Sequence, residues 1–72
     1  MDKKEIFRKR LTEQRTANGW SYKTLGDALG LSDVAIFKWE KGLAEPSLSN
    51  FILLCQVLDV SADYLLGLSE YK

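Results

Sequence analysis

Apolar residues between positions 22 and 41 recur at helical spacing on both sides of one glycine. Leu25, Ala28 and Leu29 lie at i, i+3 and i+4, so they fall on one face of a first helix. Gly30 follows directly, and glycine commonly ends a helix because it adopts a left-handed backbone without a steric penalty. The pattern therefore predicts a short helix that stops at Gly30, with a sharp turn after it.

A second short helix is predicted immediately after this turn. Ser32 is a favourable N-cap, and Asp33 suits the positive end of a helix. The residues that share the inward face of this helix are Ala35, Ile36 and Trp39. The residues left on its other faces are Asp33, Val34, Phe37, Lys38 and Lys41. Two short helices joined by one sharp turn make a helix-turn-helix.

Gly26 lies in the middle of the first of these two helices. Glycine at such a position costs about 1 kcal/mol relative to alanine. A residue without a side chain is expected there if the second helix passes very close to the first. The sequence therefore predicts a close approach of the two helices at Gly26.

The rest of the chain supplies three more helical segments. A first helix is predicted from Lys3 to about Ala17, with Asp2 as its cap. A fourth begins at Ser47 and is so apolar that we expect it to be buried at the centre of the domain. Its apolar residues are Leu48, Phe51, Ile52, Leu54, Cys55 and Leu58. Ser61 caps a last, short helix.

These segments together resemble the lambda-repressor-like family, also called the Cro/C1 or XRE family. The residues that carry the resemblance are Leu25, Gly26, Leu29, Gly30, Leu31 and Ile36, with the runs 39–42, 46–48 and 58–66. The resemblance covers about residues 7–66. It implies an all-α fold, a compact five-helix DNA-binding domain over residues 1–72. The helix-turn-helix core would occupy residues 22–41, and residues 67–72 would form a short C-terminal tail.

The same resemblance implies a sequence-specific transcriptional regulator of double-stranded DNA, a repressor that binds a palindromic operator as a homodimer. The second helix of the motif would enter the major groove. The residues assigned to base contacts are Asp33, Val34, Phe37 and Lys38. The residues assigned to phosphate contacts are Tyr22, Lys23 and Lys41. In the family the base-contacting positions are frequently polar, and glutamine often stands where this chain has Tyr22.

The side chains assigned to bases differ in what they can contact. Lys38 can donate to guanine O6 and N7, and Asp33 can accept from the amino group of cytosine. Phe37 can touch a thymine methyl group, or it can belong to a protein interface as an exposed aromatic residue. Lys23 can equally be an ordinary exposed lysine, so both interpretations stay open for these two residues.

Two structural assignments also follow from the resemblance. An arginine at the position of Arg15 pairs in the family with a glutamate at the position of Glu40, which would join the first helix to the third. The last helix and the tail often build the dimer contact, which here would use Tyr64, Leu68 and Tyr71. The alternative is that Leu65 and Leu66 close the monomer core, with Tyr64 lying across the surface.

The composition restricts the chemistry available to the chain. One cysteine and no histidine exclude an internal disulfide and the usual zinc sites. A lone thiol needs an activating base or an electropositive setting to act as a nucleophile, so Cys55 is interpreted as a small core residue. We therefore expect no enzyme activity, no cofactor and no metal.

Charge is unevenly distributed, although the formal net charge is zero. Residues 1–41 hold nine Lys/Arg and six Asp/Glu, a net of +3, and residues 42–72 hold one and four, a net of −3. A basic half can face phosphate. The basic cluster in the first helix can either contact DNA or form a solvated surface; it contains Lys4, Arg8, Lys9 and Arg10.

Two further expectations come from charge and hydropathy. The neutral total and the apolar Val34 and Phe37 support an alternative function, a protein-interaction module on the same fold without DNA binding. No apolar run approaches the roughly 18 residues of a membrane helix, and the N-terminus is charged rather than signal-like. The sequence therefore predicts a cytoplasmic protein without a membrane segment.

Overall fold

The computed structural model describes residues 1–72 as five α-helices without a strand. The helices are α1 (Lys3–Ala17), α2 (Tyr22–Leu29), α3 (Asp33–Lys41), α4 (Leu48–Leu58) and α5 (Ala62–Leu65). They pack into a body of 28 × 23 × 22 Å. No helix combines the length and the apolarity that crossing a bilayer requires. The prediction of a five-helix, all-α fold is confirmed.

Every helix begins at a side-chain cap. The caps are Asp2, Ser21, Ser32, Ser47 and Ser61, and each accepts a hydrogen bond from the backbone N–H three residues further on. This bond satisfies one of the N–H groups that a helix leaves unpaired at its start. Two helices end at a glycine in the left-handed region, Gly30 after α2 and Gly42 after α3. The helix boundaries therefore follow from local chemistry.

Each helix contributes one fully buried aliphatic side chain to a common core. These side chains are Leu11, Leu25, Ile36, Leu54 and Leu65. Trp39 of α3 and Leu58 of α4 extend this core at its edges. Burying aliphatic side chains of this size contributes about 1.5–3 kcal/mol each, so these contacts supply much of the driving force that holds five short helices together.

The inward face of α2 differs from the predicted one at a single residue. Leu25 and Leu29 are buried as expected, but Ala28 is exposed and Gly26 is buried in its place. A Cβ added to Gly26 would lie 2.9 Å from the carbonyl oxygens of both Leu31 and Ser32. The close approach at Gly26 is therefore present, but it is made by the backbone of the turn and not by the body of α3.

The expectation that α4 is buried at the centre of the domain is wrong. Only Leu54 and Leu58 of this helix are buried, whereas Leu48, Ile52 and Leu53 are 75%, 50% and 42% exposed. The helix packs on α2 and α5 along one side alone. A chain of this length buries a smaller fraction of its surface than a larger domain does, and nothing in the domain covers the second side.

The C-terminal tail is tied to the monomer by α1 and by the start of α5. The guanidinium of Arg10 donates to the backbone oxygens of Tyr64 and Ser69, and it lies 4.3 Å from the centre of the Tyr64 ring. Tyr64 is only 8% exposed. The expectation that Tyr64 lies across the surface is therefore wrong, because its ring packs in the monomer core, while Leu68 and Tyr71 are exposed.

Candidate nucleic-acid interface

The outer face of α3 brings together all the residues that the sequence assigned to this helix. Ile36, Trp39 and Glu40 point into the domain and are buried. The opposite side of the helix forms one continuous exposed surface, which we call the α3 face: Asp33, Val34, Phe37, Lys38 and Lys41. A helix that is held by one side and exposes a mixed polar and apolar surface on the other can lie in a groove.

A buried ion pair holds α3 against α1. The Arg15 Nε donates to Glu40 Oε2 at 2.6 Å, and the Arg15 Nη2 donates to Oε1 at 3.1 Å. Thr12 donates to the same Oε1 at 2.7 Å. The two charged side chains are 11% and 3% exposed. The predicted pair is therefore present and bidentate, and donating to the Glu40 carboxylate raises the pKa of Arg15 above its ordinary value.

Aromatic side chains connect the start of α2 to the α3 face. The Tyr22 ring meets the Phe37 ring edge-on, with centroids 5.8 Å apart, and the Arg15 guanidinium lies 4.2 Å from the centre of the Tyr22 ring. Lys41 Nζ lies 5.9 Å from the Phe37 ring. Phe37 is therefore partly covered, and this packing fixes the relative position of α2 and α3 at the surface. Sequence spacing alone gave no sign of the Tyr22–Phe37 contact.

Two lysines of the α3 face are free of acidic partners. Lys38 and Lys41 are exposed and take part in none of the four ion pairs of the chain. Lys23 of α2 instead pairs with Asp27 at 3.1 Å, with both side chains exposed. Such surface pairs contribute about 0–1 kcal/mol, so an incoming phosphate can compete for Lys23. Asp33 accepts from the N–H of Val34 at 2.9 Å.

The start of α2 also offers backbone donors. The N–H groups of Tyr22 and Lys23 have no acceptor in the chain, and the first turn of α2 carries no acidic residue. The Tyr22 hydroxyl makes no hydrogen bond and is not buried. Helix N-termini favour anions because free N–H groups and the helix dipole act together. Of the residues assigned to phosphate, Tyr22 and Lys23 therefore lie at the start of α2, and Lys41 lies on the α3 face.

The basic residues of α1 serve mainly to hold the C-terminal half of the chain. Arg10 binds the tail as described above, Lys3 donates to the Gly67 oxygen at 3.0 Å, and Lys4 pairs with Glu45 at 2.8 Å. These partners are backbone carbonyls and the carboxylates of Glu45 and Glu70, which sequence spacing does not point to. Lys4 and Arg10 of the basic cluster therefore make contacts within the domain, and Arg10, whose side chain is 13% exposed, is not part of a solvated surface.

Cys55 has the environment of a packing residue. Its side chain is half-buried against the hydrophobic core, and this burial raises the pKa of the thiol above its ordinary value. Because the thiolate is the reactive form, a raised pKa makes Cys55 less nucleophilic at neutral pH.

A helix-turn-helix family model matches residues 11–65, which include α2, the turn and α3. The chain belongs to the lambda-repressor-like helix-turn-helix family. This confirms the resemblance inferred from the sequence.

Two curated members of this family are similar to the chain. A prophage-derived HTH-type transcriptional regulator of Bacillus subtilis, YonR, is 39% identical over 61 residues, covering 85% of this chain and 56% of its own length. The Repressor protein C2 of Salmonella phage P22 is 45% identical over 42 residues, covering 58% of this chain and 19% of its own length. The chain therefore spans about half, or less, of the length of these relatives. They are named as regulators and not as enzymes.

Two solved structures share the fold over most of the chain. The P22 c2 repressor, crystallised in complex with a synthetic operator, superposes with a TM-score of 0.82 at 33% identity, covering 88% of this chain and 96% of that one. The restriction-modification controller protein C.AhdI from Aeromonas hydrophila gives a TM-score of 0.78 at 35% identity, covering 86% and 94%. Both likenesses extend beyond the helix-turn-helix to most of the chain.

Proposed function

We propose that this protein is a sequence-specific double-stranded DNA-binding transcriptional regulator, a repressor that inserts α3 into the major groove. The observation that carries the proposal is the α3 face, an exposed surface on a helix braced from behind by the Arg15–Glu40 pair. A relative with the same fold was crystallised with operator DNA. A repressor of this kind acts where bacterial DNA lies, in the cytoplasm.

The roles of individual residues follow from their position on this surface. Asp33, Val34, Phe37 and Lys38 would face base edges, with Lys38 donating to guanine and the two apolar side chains meeting thymine methyl groups. Tyr22, Lys23 and Lys41 would contact phosphates, supported by the free N–H groups at the start of α2. Phosphate contacts position the protein and base contacts select the sequence.

Binding as a homodimer to a palindromic operator completes the proposal. Two copies that read half-sites one turn apart would place their α3 helices about 34 Å apart. Each domain measures 28 × 23 × 22 Å, so two copies side by side on one face of the duplex can span this separation.

Selection from a random duplex pool at low salt, followed by fluorescence anisotropy on the enriched sequences, tests the proposal. We expect an inverted repeat to be enriched. Its affinity should fall steeply between about 50 and 200 mM salt, because binding releases counterions from each neutralised phosphate. Binding without sequence enrichment would contradict the assignment of base-reading residues on α3.

A protein-interaction module on the same fold is the second candidate function. Its support is the exposed aromatic ring of Phe37 beside the exposed Val34 at the centre of the α3 face. The same selection separates the two functions. Neither enrichment nor salt-sensitive binding to any duplex would favour a protein partner, and substitution of Phe37 would then be the first test of that surface.

A further inference from the structure

The outward side of α4 is an apolar surface that the monomer leaves uncovered. Leu48, Ile52 and Leu53 lie on this side and are exposed, whereas Leu54 and Leu58 face the core. We call the outward surface the α4 face. Its remaining members are Ser49 and Gln56, which are polar but uncharged. A solvated helix normally places charged and polar residues on its outward side, so three large aliphatic residues there need an explanation.

The absence of charge distinguishes α4 from the rest of the surface. None of its eleven residues, from Leu48 to Leu58, is an Asp, Glu, Lys, Arg or His. Every other helix carries charged residues on its exposed side, for example Lys23 and Asp27 on α2 and Asp63 on α5. If the α4 face stayed in water, charged residues there would increase solubility and would not disturb the core, because these positions are exposed. Its neutrality therefore suits contact with another apolar surface.

We infer that the α4 face is the contact surface for a second copy of this chain. In a two-fold symmetric dimer the same patch occurs on both sides, so residues near the axis meet their own copies. A charged residue there would face a like charge, whereas Leu48, Ile52 and Leu53 can pack against themselves. The inference rests on the proposed function for its biological purpose, since an operator with two half-sites requires two copies.

The position of α4 leaves the α3 face free in such a dimer. α4 packs against α2 and α5, while α3 packs against α1 and α2. The surface that would join two copies and the surface that would meet DNA therefore belong to different helices, and both can be used at once. The C-terminal tail, with Leu68 and Tyr71, is the competing location, but it carries Glu70 and Lys72 among its few residues.

The size of the α4 face indicates a weak dimer. Eleven helical residues span about 16 Å, and a standard stable interface buries about 800 Å² on each partner. One helix face of this length falls short of that area. Dimers would therefore form at high protein concentration and on the operator, where the two DNA contacts raise the effective concentration of one copy beside the other.

Sedimentation equilibrium of the wild-type chain and two variants, from about 10 μM to 1 mM, tests the inference. Ile52→Arg places a charge on the α4 face, and Leu68→Arg makes the same charge change on the tail. We expect wild type and Leu68→Arg to dimerise with rising concentration and Ile52→Arg to stay monomeric, all three with equal helical circular dichroism. A wild type that stays monomeric, or a dimer abolished by Leu68→Arg and retained by Ile52→Arg, would overturn the inference.

Disulfide trapping serves as a second measurement if Ile52→Arg does not fold. In a Cys55→Ala background, Ile52→Cys should form an intermolecular disulfide under mild oxidation much faster than Leu68→Cys does. Equal rates, or faster trapping at Leu68, would count against the α4 face. Binding of wild-type protein to a duplex with one half-site tests the proposed function separately, because it needs no dimer.

Discussion

Glu40 joins the helix proposed to read DNA to the first helix of the chain. Its carboxylate receives two hydrogen bonds from Arg15 and one from Thr12, and it is almost completely buried. Arg15 also donates to the backbone oxygen of Trp20 at 2.8 Å. Arg15 therefore connects α1 to Glu40 of α3 and to Trp20, which directly precedes the N-cap of α2.

Removing the carboxylate should destabilise the domain strongly. Glu40→Ala leaves the buried Arg15 unpaired, so we expect the free energy of unfolding to fall by about 3–5 kcal/mol, measured by urea denaturation. In the double variant Arg15→Met with Glu40→Met, both charges are absent, and the loss should be smaller than in Glu40→Ala. A double variant that is less stable than the single one would show that the pair itself, rather than the unpaired charge, dominates.

Lys38 is the residue on the α3 face whose role in sequence readout is easiest to isolate. It is exposed and has no acidic partner, so its removal leaves the fold unchanged. Lys38→Ala should weaken binding to the selected operator by about 1–3 kcal/mol and relax the preference at one base pair. Anisotropy with operator variants measures both effects. The control is Lys9→Ala, which removes an exposed lysine of α1. Equal losses of affinity in both variants would show that Lys38 does not contact a base.

The corner between α2 and α3 depends on close packing at Gly26. The carbonyl groups of Leu31 and Ser32 come so near that no Cβ fits at this position. After α2 ends, the chain turns through Gly30, which has a φ of 71°, and α3 starts at the Ser32 cap. This short segment therefore sets the angle between the two helices and which side of α3 is exposed to solvent.

Helix propensity and packing make opposite predictions for Gly26→Ala. Propensity alone would stabilise α2 by about 1 kcal/mol. We expect a net loss of about 1–3 kcal/mol instead, because the added methyl group must displace backbone atoms of the turn. Thermal or urea unfolding distinguishes the two signs. Ala28→Gly, at an exposed position of the same helix, should cost about 1 kcal/mol through propensity alone. A stabilised Gly26→Ala would show that the turn can move away.

The whole molecule separates charge and apolar surface between its two halves. The first 41 residues carry a net charge of +3 and the remaining 31 carry −3. The helix-turn-helix lies in the basic part, and the uncharged α4 lies in the other. We therefore expect a neutral protein to approach DNA with its helix-turn-helix, where Lys38 and Lys41 have no acidic partner, whereas Lys4 and Arg10 pair with acidic residues of the second half.

This polarity predicts which lysines contribute to the salt dependence of binding. Lys41→Ala should reduce the slope of log affinity against log salt concentration by about 0.9, the value for one lost phosphate contact. Lys72→Ala, in the acidic half, should leave the slope unchanged. Anisotropy titrations at several salt concentrations give both slopes. A slope that changes equally in both variants would mean that binding responds to total charge and not to the orientation of the molecule.

The sequence by itself determined the helices, their caps and the arrangement of α2, turn and α3. The reason is that these features depend on neighbours within about four residues. The Ser32 cap, the left-handed Gly30 and the spacing of Ile36 and Trp39 act locally. The Arg15–Glu40 pair is a contact between distant residues, and it was predicted only because the family resemblance supplied it.

Only the tertiary structure decided which side of the apolar helix α4 is covered. It also decided which residues the long basic side chains of α1 contact. The sequence of α4 is apolar almost all round, so periodicity could not show that Leu48, Ile52 and Leu53 face solvent. Tyr64 is buried because its ring packs in the hydrophobic core, where Arg10 of α1, 54 residues away in the sequence, also contacts it. Such outcomes depend on how many helices are present and where they meet, and local sequence patterns do not contain that information.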